Sequence, residues 1–106
     1  MRRGEVWWVE FAGTVGSEIR KRRPAIIVSN DAANRYLGRV QVVPLTSNTA
    51  KLYPGEARVT LKGHVSKAMA DQVTTADKAR LSERLSSLSV EDMRLVEDAL
   101  RLQLGL

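Results

Sequence analysis

The sequence predicts an α+β fold, a small closed or half-closed antiparallel β-barrel carrying one C-terminal α-helix. Three observations predict it. Short segments with alternating apolar and polar residues follow one another, separated by brief turns. Before residue 89 only one short stretch reads as helical. From Val90 onward the apolar period lengthens to that of a helix. At 106 residues the chain fits one domain, taken as 1–106, of a size that can fold alone.

Each element has its own signal. Trp7, Val9 and Phe11 alternate with Val6, Trp8 and Glu10, a strand with apolar groups on both faces. Adjacent tryptophans point to opposite sides of a strand, so only one can fill a given core; the other meets a second layer or a second subunit. Gly13 and Gly16 mark a loop through Lys21, and Ala25–Val28 is a second strand. Ser29-Asn30-Asp31 offers cap chemistry for a helical turn through Tyr36, closed by Gly38. Val40–Leu45 is a third strand, with Pro44 near its end. Tyr53-Pro54-Gly55 is a turn, after which Ala57, Val59 and Leu61 alternate with Arg58, Thr60 and Lys62 as a half-solvated antiparallel strand. Further short strands are expected at Val65–Met69, Gln72–Thr74 and Arg84–Leu88. Ser89 and Asp92 make a capping-box-like start to a helix over Val90–Leu104, ended by Gly105. That helix carries two apolar stripes, Met93/Val96/Leu100/Leu104 and Leu95/Ala99/Leu102/Leu106. The arc is wider than one barrel face covers, so one stripe is expected on the barrel and the other in a homodimer interface.

Composition excludes several chemistries. The chain has no cysteine, so disulfides and thiolate nucleophiles are out, and with His64 alone a multi-histidine metal site is out too. No carboxylate spacing supports a hard-cation site, so no cofactor is expected. No apolar run approaches the ~20 residues that span a bilayer, and a cytoplasmic location is expected. Mean hydropathy is −0.23 and 43% of residues are hydrophobic, as in globular proteins.

Charge points to a partner. The net charge is +5, but residues 1–67 hold 12 Lys/Arg against 5 Asp/Glu, whereas residues 68–106 hold 5 against 7. A basic body with a mildly acidic tail suits a polyanion, and the charge is densest at Arg20-Lys21-Arg22-Arg23, directly before a core strand. If that polyanion is RNA, metal-free cleavage needs a base for the 2′-hydroxyl, a cation for the phosphorane-like charge and an acid for the leaving 5′-oxygen. Arginine supplies the charge by forked phosphate contact, and hydroxyls hold non-bridging oxygens. The candidates are Arg23 at a strand mouth, Thr46-Ser47 at a strand end and Asp71-Gln72 before another strand.

Those places also carry a resemblance. "RRGEVWWVEF", "GSEIRKRRPAIIVSNDAANR", "VVPLTSN" and "ADQVTTADKARL", in that order and spacing, resemble the MazF/PemK family of toxin endoribonucleases over nearly the whole chain. Each piece alone is weak; four in order are specific. The resemblance implies an SH3-like (CcdB/PemK-type) barrel with a C-terminal helix, a homodimer, and metal-independent cleavage of single-stranded RNA by 2′-hydroxyl attack. It also implies an acidic, MazE-like antitoxin that wraps the dimer. Carried over by position, it makes Arg23, Thr46 and Asp71 catalytic: Arg23 for phosphate charge or as acid, and Thr46 for the scissile phosphate. The RNA-binding set is Glu18, Arg20, Lys21, Arg22, Ser47 and Gln72, with Glu18 orienting its loop rather than abstracting a proton. Ser17 and Met69 stand where some members carry a histidine and an arginine, so that version of the acid/base pair is absent and the general base stays open.

Bland readings accompany these. Arg23 can cap a strand or pair with Glu18, and Thr46 and Ser47 can satisfy turn amides. Asp71 can be an anchor, and His64 a surface or satisfied turn residue. Trp7 and Trp8 read as core or interface residues. Two other functions use the same barrel: a CcdB-like toxin that binds a topoisomerase, and a non-catalytic nucleic-acid-binding barrel. The cut-site bases depend on the loops at 12–22 and 47–56.

Overall fold

A computed structural model describes residues 1–11 and 22–106. The strands are β1 (Glu5–Glu10), β2 (Arg22–Ile27), β3 (Arg39–Thr46), β4 (Glu56–Leu61), β5 (His64–Met69), β6 (Thr74–Asp77) and β7 (Leu81–Ser87). Two helices join them, α1 (Asp31–Tyr36) and α2 (Val90–Leu104). The strands form one antiparallel sheet in the order β4-β5-β3-β2-β1-β7, with β6 also paired to β3. β4 and β7 end this order without pairing to each other, so the barrel is half-closed. The loop expected around Gly13 and Gly16 lies outside the described residues.

Alternation along the strands builds two cores. Val6, Ile26, Val43, Leu45 and Val59 face α2 and join its Met93, Val96 and Ala99. Val9, Ala25, Ile27, Val40 and Val42 lie on the other face with Ala76 and Leu81. That is why β1 and β2 read as apolar on both sides. Trp7 packs on the second core, and Trp8 points the opposite way.

β3 is the strand that both parts of the sheet share. One edge pairs with β2 over Val42–Pro44; the other pairs with β6 over Arg39–Val42 and then with β5 at Leu45 and Thr46. Val28 N donates to Gln41 O at 2.9 Å. Antiparallel alternation then makes Ala25–Pro44 a non-hydrogen-bonded pair, so the Pro44 nitrogen faces the other edge. There β6 has ended and β5 has not begun. The missing amide hydrogen costs least at this gap.

The same gap explains a difference from expectation. Ala68 lies opposite Leu45 and Thr74 opposite Val42, so Met69–Val73 faces only Val43 and Pro44. The excess chain is taken up in a 3₁₀ turn at Ala70–Gln72, closed by Val73 N donating to Ala70 O at 3.2 Å. Gln72–Thr74 is therefore not a strand; the strand starts at Thr74. Gly38 likewise does not close α1. The helix ends at Leu37 in extended backbone, whose N–H reaches Ala33 O, and the chain passes directly into β3.

α2 runs over the expected residues. Ser89 accepts from Asp92 N at 3.1 Å, and Gly105 at φ +71° provides the left-handed residue that ends the helix. The stripes divide differently from the reading above. Met93, Val96 and Ala99 are buried on the barrel, so Ala99 belongs to the core, while Leu95 and Leu102 stay 48% and 63% exposed. Arg3 locks α2 to the N-terminus: it donates to Glu97 at 2.8 Å and to Val28 O at 3.0 Å.

Candidate active site

Where the first core reaches the open end of the barrel, the inward residues change from apolar to polar. On β3 the step is from Leu45 to Ser47, and on β5 from Ala68 through Ser66 to His64. The result is a cleft of about 640 Å³. β1 contributes Trp8, β2 contributes Arg22, Arg23 and Pro24, and β7 contributes Leu85. The β4–β5 hairpin contributes Leu61, Lys62, His64 and Ser66.

Arg22 and Arg23 enter through the register of β2 on β1. Trp8 lies opposite Pro24, Val9 opposite Arg23 and Glu10 opposite Arg22. The Arg22 guanidinium stacks 4.5 Å from the Trp8 ring centre, and its only carboxylate contact among the described residues is a loose one, 3.9 Å to Glu83. Arg23 is half-buried, and its Nε is buried with no hydrogen-bond partner among the described residues. A buried donor left unpaired costs ~1–3 kcal/mol, more when charged, unless a ligand completes it. Pro24 fixes the backbone immediately after it, so the guanidinium leaves a stiff strand.

Thr46 ends β3. Its Oγ1 accepts from Asn48 N at 3.2 Å, so the turn-satisfying role holds, and its O–H has no acceptor among the described residues. Ser47 lies beside it, exposed. Arg23, Thr46, Ser47 and Arg22 are thus brought together as expected.

Asp71 and Gln72 are not. Both sit on the 3₁₀ turn beyond the far end of β5, and neither lines the cleft. Asp71 lies beside the Pro54-Gly55 turn, its Cβ 3.6 Å from where a side chain on Gly55 would begin. Gln72 Nε2 approaches Met69 Sδ at 3.6 Å. The reason is the bulge described above, which carries these residues away from the sheet. Glu18, Arg20 and Lys21 fall outside the described residues.

The lining residues that escaped the sequence reading include Trp8, Lys62 and His64. Lys62 and Gly63 form a two-residue hairpin between the paired Leu61 and His64, both with positive φ, +51° and +81°. This is the backbone of a type I′ turn, usually built from Asn-Gly, and lysine at its first position is uncommon. The turn sends Lys62 and His64 to one rim. A hairpin signal was present in the end of the β4 alternation at Lys62-Gly63.

The electrostatics follow from the lining: among the described residues it holds three cations, Arg22, Arg23 and Lys62, and no carboxylate. A concave, one-signed surface concentrates anions and holds developing negative charge. Among the described residues no cluster of three or more His, Cys, Asp or Glu is placed to hold a metal ion.

Comparison with known proteins matches residues 2–104 to the family described as PemK-like, MazF-like toxin of type II toxin–antitoxin system. The chain is 40% identical to Endoribonuclease MazF9 of Mycobacterium tuberculosis, across 100% of this chain and 98% of that one. It superposes on the crystal structure of MazF from Deinococcus radiodurans with a TM-score of 0.86 and 30% identity, covering 100% and 97% of the two chains. A mycobacterial endoribonuclease in complex with its cognate antitoxin gives 0.81 at 28% identity, covering 100% and 96%.

Proposed function

The chain belongs to the PemK-like, MazF-like toxins of type II toxin–antitoxin systems and is a toxin endoribonuclease; we propose that it cuts single-stranded RNA in the cleft between β2 and the β4–β5 hairpin. One observation carries the site assignment: a cleft that, among the described residues, has no carboxylate in its lining and holds Arg23 with its guanidinium Nε unpaired. A phosphodiester is the ligand such a site lacks.

The RNA supplies its own nucleophile, the 2′-hydroxyl. Its attack on phosphorus forms the 2′,3′-cyclic phosphate, and the P–O5′ bond breaks to leave a 5′-hydroxyl. Arg23 donates to the non-bridging oxygens as their charge grows, which is worth most in a site already oriented for it. Thr46 adds one hydroxyl donor, and Ser47 stands next to it. Arg22 and Lys62 track the backbone on either side, with Arg20 and Lys21 extending that track. Asp71 and Gln72 lie outside this set and serve the turn that joins β5 to β6.

Leu95 and Leu102 on α2, beside Leu52 and Pro54, form the apolar face on which two copies pair as a homodimer. The cognate antitoxin is an acidic, MazE-like partner that covers the basic cleft. No described helix is long and apolar enough to cross a membrane, and the working compartment is the cytoplasm, where the RNA is. The whole of 1–106 acts as one toxin domain.

The test is incubation with a long, weakly structured RNA in EDTA, with end analysis of the products. Cyclic phosphate ends, and no cutting when the cut-site sugar is 2′-deoxy, are expected. Cutting of the 2′-deoxy substrate would refute the chemistry.

A further inference from the structure

Attack by a 2′-hydroxyl requires something to accept its proton, and the groups around the cleft differ in that capacity. Arg22, Arg23 and Lys62 are donors without an available lone pair, Trp8 is donor only, and Thr46, Ser47 and Ser66 are feeble bases. Leu45, Leu61, Leu85 and Pro24 are inert. Among the described residues no carboxylate lines the wall, and Asp71 is held elsewhere. One described lining residue remains. His64 carries the chain's single imidazole, the side-chain type that exchanges a proton near neutral pH.

Its placement is built rather than incidental. His64 is the first residue of β5, paired with Leu61 across the Lys62-Gly63 turn. Residues 64, 66 and 68 share one face of the strand, and Ala68 is opposite Leu45 on β3. His64 therefore stands on the same inward face as Ser66, at the solvent end, and the charged groups around the cleft among the described residues are Arg22 and Arg23 on β2 and Lys62 on the hairpin. β1, β3 and β7 contribute no titratable side chain to the lining.

We propose that His64 is the general base of RNA cleavage. The inference rests on the cleft being the cutting site. The imidazole takes the 2′-hydroxyl proton as the O2′–P bond forms; the P–O5′ bond breaks with its electron pair on the 5′-oxygen, which takes a proton from water. The imidazolium then returns its proton to solvent.

The experiment compares single-turnover cleavage by wild type, His64→Ala and His64→Gln across pH, alongside affinity for a 2′-deoxy analogue. Losing a positioned base should slow cleavage by at least ~100-fold in both variants. The rising acid limb of the wild-type pH profile should vanish, added imidazole should partly restore His64→Ala, and analogue affinity should hold. A His64→Ala enzyme cutting within about threefold of wild type on an unchanged pH profile would overturn the assignment and leave the cutting site standing. If the loss disappeared on a substrate whose leaving 5′-oxygen is replaced by sulfur, His64 would be the acid, and the base assignment would fall. Wild type that cut no RNA, or cut the 2′-deoxy substrate, would bring down the cleavage reading itself.

Discussion

Two cations on the strands that flank β3, one buried and one half-buried, have opposite surroundings. Lys67 on β5 lies 3.1 Å from Glu56, donates to Lys51 O at 2.9 Å and stands over the Tyr53 ring. Glu56 in turn accepts from Tyr53 N at 2.9 Å. The charge is fully answered, and it holds the 51–56 segment against the barrel. Arg23 on β2 has a buried Nε that nothing among the described residues answers. A satisfied buried cation is part of the scaffold. One left open among the described residues is available to a ligand.

Removing one partner of a buried pair strands the other, so Lys67→Met should cost about 3–5 kcal/mol in urea unfolding. Adding Glu56→Leu should return most of that loss, and the surviving folded protein should still cut. Arg23→Ala reverses the pattern. Cleavage should fall by at least ~100-fold, the scale of one lost transition-state donor, while the urea midpoint stays put or rises. An Arg23→Ala protein that unfolded as readily as Lys67→Met would erase the distinction. Thr46 lies between the two cations in kind, since its oxygen already serves Asn48. Thr46→Ala should slow cleavage about tenfold and lower stability by only ~1 kcal/mol, in the same kinetic and urea measurements. Asp71→Asn should leave cleavage within about twofold of wild type, because the residue lies away from the cleft.

A pH effect should be smaller still. The Arg3 backbone N–H, donating at 2.7 Å, and Asn34 behind it hold the Asp31 carboxyl below the usual carboxylate range. Its contribution is present above that range and is lost as pH falls through the lowered value. Asp31→Asn should therefore lower the melting temperature slightly at neutral pH and flatten the acid end of the profile, the two proteins converging as pH falls.

What the sequence disclosed divides along physical lines. Signals carried by neighbours in the chain were legible: Ser89 and Gly105 bracket α2 at both ends, and alternation at Ala57, Val59 and Leu61 gives β4 its face. Arg23 before Pro24 and Thr46 before Ser47 were found because each sits where a strand meets the cleft. Asp71 lies off the cleft for a reason no local pattern carries. The offset between β5 and β6 along β3 exists only after pairing, and it turns an expected strand into a bulge. His64 was passed over because its partners come from strands remote in sequence, and nothing beside it in the chain marks a cleft. Trp8 was read as core or interface for the same reason.

The cleft draws its wall from both extremes of the chain, Trp8 near the start and Leu85 near the end. β1 finds its outer neighbour, β7, only after residue 81 has been made. A polypeptide still under synthesis holds Arg23 and Thr46 long before it holds the complete wall. Long-range pairing of this kind closes late. A toxin endoribonuclease built this way cannot complete the wall of this cleft until the ribosome translating it has nearly finished.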